Sequence, residues 1–235
     1  MRVWTGKGDD GTTGLLFGGR VRKDDPAPEA YGAVDEAQAA LGVARADAEP
    51  GSELDEVLVH VERDLYVCMA ELATAPGKRD KLEPGRSLVT PEMVVAIEER
   101  TTSLSERFEM PTAFVLPGET RASALLEVAR TVVRRAERAS VAVAEDGSSV
   151  LPYLNRLSSL LWALARWQEG EHHRLARDEL TSAAAGESLG AAAAAASSAA
   201  AATVDSAAVA AASPAAAAVD PSPVAPPPAG GDHST

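Results

Sequence analysis

Apolar residues recur at three- and four-residue steps in five separate stretches of this chain, and nowhere do they alternate for long with polar ones. The first stretch, 29–48, places Ala30, Val34, Ala37, Leu41 and Ala44 on one helical stripe. The second, 52–75, opens on Ser52, a side chain suited to an N-cap. It continues with Leu54, Val57, Leu58, Val61, Leu65, Cys68, Met69 and Leu72. Thr90-Pro91-Glu92 is a helix start, with a capping hydroxyl, proline at the first helical position and an acid in the first turn. That third helix is expected to end near Phe108. A fourth covers 120–144, and a fifth begins at Ser148 or Ser149 and carries Leu151, Leu154, Leu157, Leu160, Leu161, Leu164 and Ala165 to Glu169. The pattern predicts an all-α bundle of five helices.

Both ends of the chain depart from it. Residues 1–27 hold Gly6, Gly8, Gly11, Gly14, Gly18 and Gly19, too many breakers for a helix. A short extended piece at 3–5 followed by turns is the expectation there. Residues 181–235 consist almost wholly of Ala, Ser, Pro, Gly and Val, with four acids, no Lys or Arg and no Phe, Trp or Tyr. Without large side chains to bury, such a segment cannot offset the entropy of ordering. The expected organisation is one folded domain over 1–180 and a disordered tail over 181–235.

Charge narrows the partners. The formal net charge is -13, which argues against nucleic acid and against anionic membrane surfaces. The single cysteine, Cys68, cannot form an internal disulfide and reads as a small buried hydrophobe. No signal-like or membrane-length apolar run is seen, so a soluble, cytoplasmic protein is expected.

Against this acidity the run 129–138 stands out, with Arg130, Arg134, Arg135 and Arg138 within nine residues. Arg130, Arg134 and Arg138 share a helical face, beside an apolar stripe of Val128, Val132 and Ala136. Two readings are open. The arginines form a solvated face paired with Glu127 and Glu137, or they hold a polyanion such as a triphosphate. The N-terminal Thr5-Gly6-Lys7-Gly8-Asp9-Asp10-Gly11-Thr12-Thr13-Gly14, with Lys23 beyond, is likewise either a set of surface turns or a phosphate cradle. It is not a Walker A loop. Asp35 and Glu36 are dipole-favoured acids or partners for a distant arginine, and Asn155 is a polar bundle contact or a ligand group. No His/Cys cluster suggests zinc, and no Ser/His/Asp set is recognisable.

Four elements then point in one direction. Residues 5–14 with Arg22-Lys23-Asp24-Asp25, the run Gly32-Ala33-Val34-Asp35-Glu36, the segment Phe114–Gly118 with Ala129–Arg138, and Tyr153–Ser158 occur in the order found in ATP:cob(I)alamin adenosyltransferases of the PduO type, which this chain resembles over residues 3–170. The resemblance implies a trimer of ferritin-like, up-down five-helix bundles with active sites between subunits. It implies transfer of the 5'-deoxyadenosyl group of ATP to cob(I)alamin, giving adenosylcobalamin and triphosphate. By the same resemblance Thr5, Lys7, Gly8, Asp9, Gly11, Thr13 and Lys23 wrap the triphosphate. Arg134, Glu137 and Asn155 complete the ATP site, with Glu137 at the Mg2+ ion. Asp35 and Arg130 form an intersubunit ion pair beside the cobalamin, and Phe114 occupies the lower corrin face. Asp35, Phe114, Arg130 and Arg134 are thus the expected catalytic set.

A cobalamin reductase and an adenosylcobalamin-dependent enzyme are the partners such a protein implies. Glu119, Glu127, Ser159, Trp162 and Gly6 depart from the residues common in that family. The competing reading is a non-catalytic bundle that carries or senses adenosylcobalamin or a nucleotide.

Overall fold

The computed structural model describes residues 3–176, so the expected tail at 181–235 lies outside the described residues. Five α-helices follow a small two-stranded sheet: β1 (Thr12–Gly14), β2 (Arg20–Arg22), α1 (Pro26–Asp47), α2 (Glu53–Leu72), α3 (Pro91–Ser105), α4 (Arg121–Ser140) and α5 (Val150–Glu169). A short 3-10 turn over Arg79–Lys81 lies between α2 and α3.

The caps act where the sequence placed them. Ser52 accepts from the Asp55 amide and Thr90 from the Met93 amide, while Thr120 and Ser123 cap α4 reciprocally. The first helix starts earlier than expected, at Pro26, because a proline in the first turn needs no donor there. The fourth stops at Ser140. Its hydroxyl donates to the Ala136 carbonyl, and the Val143 and Ala144 amides fold back onto the Ser140 carbonyl.

Pairs between helices fix their directions. Arg121 meets Asp47 and Arg135 meets Glu36, so α4 runs antiparallel to α1. Asn155 meets Glu137 and Arg166 meets Glu127, so α5 runs antiparallel to α4. Arg156 reaches Glu98 and Arg107 lies over Trp167, so α3 runs parallel to α5. With Arg45 on Glu62 setting α2 against α1, the helices alternate up and down in chain order.

The core lies along α5, where Tyr153, Leu154, Leu157, Leu160, Leu161 and Leu164 are fully buried among Leu41, Leu58, Leu65 and Leu126. Tyr153 donates its hydroxyl to Asp64, whose carboxyl is held above the usual range by burial. Burial likewise pushes the Cys68 thiol up, in keeping with an inert core cysteine.

Two expectations need correction. The fully buried seam of α4 is Leu126, Ala129, Val133 and Ala136; of the expected stripe, Ala136 is buried and Val132 packs partly buried against the core, but Val128 is 56% exposed. The N-terminal segment also contains an antiparallel hairpin, with Thr12 opposite Arg22, Thr13 opposite Val21 and Gly14 opposite Arg20. The extended piece expected at 3–5 is not a strand.

Candidate functional site

The sequence-predicted residues gather in two regions. The first is the hairpin. Its turn is made by three successive left-handed residues, Phe17 (φ 65), Gly18 (φ 107) and Gly19 (φ 87), closed by the Leu15 amide on the Gly19 carbonyl at 3.2 Å. Leu16 exchanges backbone bonds with Ala73 and Ala75, which moors the hairpin to the C-terminal end of α2. Ahead of β1 the chain turns twice, with Asp9 N to Gly6 O at 3.3 Å and Gly11 N to Gly8 O at 3.2 Å. Lys23 N donates to Gly11 O at 2.9 Å. The Lys23 side chain folds over Gly8, where an added Cβ would lie 3.1 Å from Nζ and 3.2 Å from Thr12 O.

Arg20 stiffens this loop from within, donating from Nη2 to the Lys7 carbonyl at 2.6 Å and from Nε to the Thr12 hydroxyl at 3.0 Å. The Thr12 amide and hydroxyl hold the Asp10 carboxyl below the usual range, and Arg22 does the same for Asp24. Thr5 Oγ1 accepts from the Lys7 amide. The Lys7 and Asp9 side chains are exposed and make no ion pair among the described residues.

The second region runs along the facing sides of α4 and α5. Near the hairpin end of the bundle, Asn155 Nδ2 donates to Glu137 Oε1 at 2.9 Å, and Arg156 donates to Asn155 Oδ1 at 2.8 Å. Arg134 is half-buried one turn before Glu137 and has no ion-pair partner among the described residues. Towards the other end, a cavity of about 530 Å³ is walled by Met110, Phe114, Pro117, Arg130, Trp162 and Arg166, among others. Phe114 is 84% exposed at its mouth. Its loop is held by the segment after α5, through Leu116 N to Arg174 O at 2.8 Å and Ala176 N to Phe114 O at 2.6 Å.

Behind the wall is a buried charge cluster. Arg130 Nε donates to Glu127 Oε2 at 2.6 Å. The other oxygen of Glu127 faces Arg166 Nη1 at 3.4 Å. Arg166, 2% exposed, also grips Glu169 at 2.8 and 2.9 Å and lies over the Trp162 ring at 5.5 Å. Of the arginine run, Arg130 thus pairs within its own helix and Arg135 with Glu36, whereas Arg138 is exposed and unpaired among the described residues.

Within the chain Asp35 is exposed and is not joined to Arg130. No hydrogen bond or ion pair among the described residues links Lys7, Asp9, Thr13 or Lys23 to Arg134, Glu137 or Asn155. Arg166, Glu169 and Trp162 were not among the expected site residues. The available signal was an arginine inside the apolar run of α5, three residues before a glutamate. Among the described residues no cluster of three or more His, Cys, Asp and Glu could hold a metal, and no helix is long and apolar enough to cross a membrane.

A helical bundle that presents a glycine-turned loop bearing Lys7 and Lys23 and an aromatic-walled arginine pocket has the groups to bind and orient an anion and a large planar ligand. Comparison with known proteins specifies what kind of binder it is. The cobalamin adenosyltransferase family model matches residues 3–168, and the chain belongs to that family. A corrinoid adenosyltransferase of Mycobacterium tuberculosis (strain H37Rv) is 42% identical over 170 residues, covering 70% of this chain and 87% of that protein. One from Bacillus subtilis (strain 168) is 37% identical over 172 residues, covering 71% and 86%.

Among solved structures, a PduO-type ATP:corrinoid adenosyltransferase from Lactobacillus reuteri, with one phenylalanine replaced by alanine and complexed with cobalamin and ATP, is 29% identical. It superposes with a TM-score of 0.67 and covers 75% of this chain and all of that one. An arginine-to-lysine variant complexed with ATP, from the same organism, is 30% identical, with a TM-score of 0.66, and covers 74% and 100%.

Proposed function

We propose that this chain is an ATP:corrinoid adenosyltransferase that transfers the 5'-deoxyadenosyl group of ATP to cob(I)alamin. The observation that carries the reading is the aromatic cavity at Phe114 and Trp162, lined by Arg130, on the same face of α4 as Arg134. From Arg130 to Glu137 the helix rises about 10 Å at 1.5 Å per residue. A corrin in the cavity and a nucleotide at Glu137 would therefore lie within one nucleotide's length of each other. The variants solved from Lactobacillus reuteri change a phenylalanine and an arginine twenty positions apart. Phe114 and Arg134 stand at that separation here.

The chemistry asks little of side chains beyond placement. Cobalt(I) supplies the electron pair of the new cobalt–C5' bond, the C5'–O bond breaks and triphosphate leaves with the pair of that broken bond. The work of the protein is to align the two reactants and stabilise the charge gathering on the leaving oxygen. Lys7, Lys23, the Thr5 and Thr13 hydroxyls and the backbone amides around Gly8, Asp9 and Gly11 are the groups we assign to the triphosphate. Arg134 and Asn155 complete that site. Glu137 is the carboxylate that would hold a magnesium ion together with phosphate oxygens, and neutralisation of the leaving group is what such an ion supplies. One carboxylate plus substrate phosphates is an ordinary magnesium donor set, so the residues fit.

Phe114 is assigned to the lower corrin face, where an apolar ring excludes an axial ligand and makes Co(I) easier to reach. The absence, among the described residues, of any bond between the hairpin and Glu137 and of any partner for Asp35 supports a homotrimer in which neighbouring copies complete each site. In that assembly Asp35 of one copy pairs with Arg130 of the next. We place the catalytic domain at 1–180 and the protein in the cytoplasm.

The test is anaerobic mixing of the full chain with chemically reduced cobalamin, magnesium and ATP. Conversion to a light-sensitive alkylcobalamin is expected, and its absence would contradict the reading.

A further inference from the structure

Arg130 reaches the Phe114 cavity from a helix surface, where an arginine ordinarily samples many rotamers at a substantial entropic cost to binding. Here it does not stand alone. Its Nε is bound to Glu127 at 2.6 Å, and neither Nη amino group is bound among the described residues. A guanidinium offers five donors in a rigid planar fork, so fixing the Nε edge fixes the direction of the Nη end.

Glu127 is itself anchored. Its second oxygen faces Arg166 Nη1 at 3.4 Å. Arg166 donates from Nη2 to Glu169 Oε1 at 2.9 Å, with its Nε 2.8 Å from the second carboxylate oxygen as a charge pair without hydrogen-bond geometry; it is nearly inaccessible to water and is covered by Trp162. Two acids and two arginines alternate, Glu169, Arg166, Glu127, Arg130, so every charge has an opposite neighbour, and of the three that line the cavity Arg130 is the most exposed, at 28% of its side chain against 11% for Glu127 and 2% for Arg166.

We propose that Glu127, seated on the buried Arg166, is a positioning residue that locks the direction of Arg130's Nη end at the wall of the Phe114 cavity, where Asp35 of a neighbouring copy would meet it, so that corrinoid binding depends on a carboxylate the corrinoid need not touch. The proposal rests on the reading of that cavity as the corrinoid site. Glu127 acts through Arg130, and truncating it releases the guanidinium without removing its charge from the molecule. Nucleotide binding at Lys7, Arg134 and Glu137 shares none of these contacts.

A double-mutant cycle on the full chain tests this, with cobalamin affinity read from its absorbance and ATP affinity from calorimetry. Glu127→Ala is expected to weaken cobalamin binding about tenfold, as for loss of a charged hydrogen bond, with ATP affinity unchanged. In an Arg130→Ala background the same truncation should cost nothing further, because the residue it positions is gone. An equal cobalamin loss in both backgrounds, or no loss in either, overturns the proposal.

If Glu127→Ala also abolishes ATP binding, the fold has suffered and Glu127→Gln decides. It keeps an acceptor for Arg130 Nε but not the ion pair with Arg166, so a smaller cobalamin loss with intact ATP binding is expected, and unchanged cobalamin affinity overturns the proposal. A wild-type chain that binds no cobalamin overturns the cavity reading itself. A wild type that binds, with Glu127 variants that match it, overturns only the role of Glu127.

Discussion

The hairpin and the charge cluster behind the Phe114 cavity both arrange charge, but by opposite means. The hairpin is solvent-exposed backbone, turned by glycines and braced by Arg20, with the Lys7 and Asp9 side chains left in water. The cluster is side chain, largely buried and internally paired, with Arg130 its most exposed member. Water screens the first and is nearly excluded from the second. On the proposed assignment, a loop that closes around a flexible polyphosphate can be loose, whereas the wall of a pocket for a rigid macrocycle binds better when its groups are already fixed in place.

The largest effect that would sharpen this contrast is on stability. Arg166→Ala leaves Glu127 and Glu169 buried without their shared partner and should cost about 3–5 kcal/mol in denaturant unfolding, the usual cost of breaking a buried pair. Lys7→Ala, at an exposed position, should leave the unfolding midpoint within about 0.5 kcal/mol of wild type. Equal costs would erase the distinction.

Next comes geometry at Gly8. A Cβ there would press on the Thr12 carbonyl as well as on the movable end of Lys23. Gly8→Ala should therefore raise the KM for ATP several-fold, by about 1 kcal/mol of lost binding from a displaced loop. The cobalamin affinity should stay where it was, and a matching loss there would break the assignment of the hairpin to the nucleotide.

Acid should separate hairpin from core as well. Asp10 and Asp24 have carboxyls lowered chiefly by their bonds to Thr12 and Arg22. Their contribution to folding is present above the unfolded carboxylate range and is lost as pH falls through the lowered folded values. Asp64, raised by burial, has the opposite sign: its contribution is complete below the unfolded value and fades as pH rises through the folded one. Hydrogen exchange followed from neutral to acidic pH should show hairpin amides losing protection before those around Asp64. The reverse order would contradict these directions. Smallest of all, Arg138→Ala should alter neither stability nor either affinity, since that side chain is exposed and unpaired among the described residues.

Much of the fold was legible because helices announce themselves through period and caps. Ser52, Thr90 and the leucine spacing of α5 each act as read. The hairpin was not legible, because its three-residue strands are too short to show alternation and one of them ends in glycine. The seam of α4 was misphased for a different reason. Val128 looks apolar enough to face inward, but the small Ala129 beside it is the residue that is buried and allows close approach to the neighbouring helices.

At the candidate site, Asn155 donates to Glu137, so the fold brings together two residues that the resemblance groups. Phe114 and Arg130 share a cavity, which spacing alone could not reveal because fifteen residues and a helix start intervene. The coupling of Arg166 to Glu127 is a contact between residues 39 positions apart and is visible only once α4 and α5 pack.

The central claim is that the hairpin serves the nucleotide and the Phe114 cavity serves the corrinoid. The most direct measurement titrates wild type, Lys7→Ala and Phe114→Ala with ATP and, separately, with cobalamin. The account predicts crossed losses: Lys7→Ala loses ATP affinity and keeps cobalamin affinity, while Phe114→Ala does the reverse. Parallel losses of both ligands in both variants would contradict it.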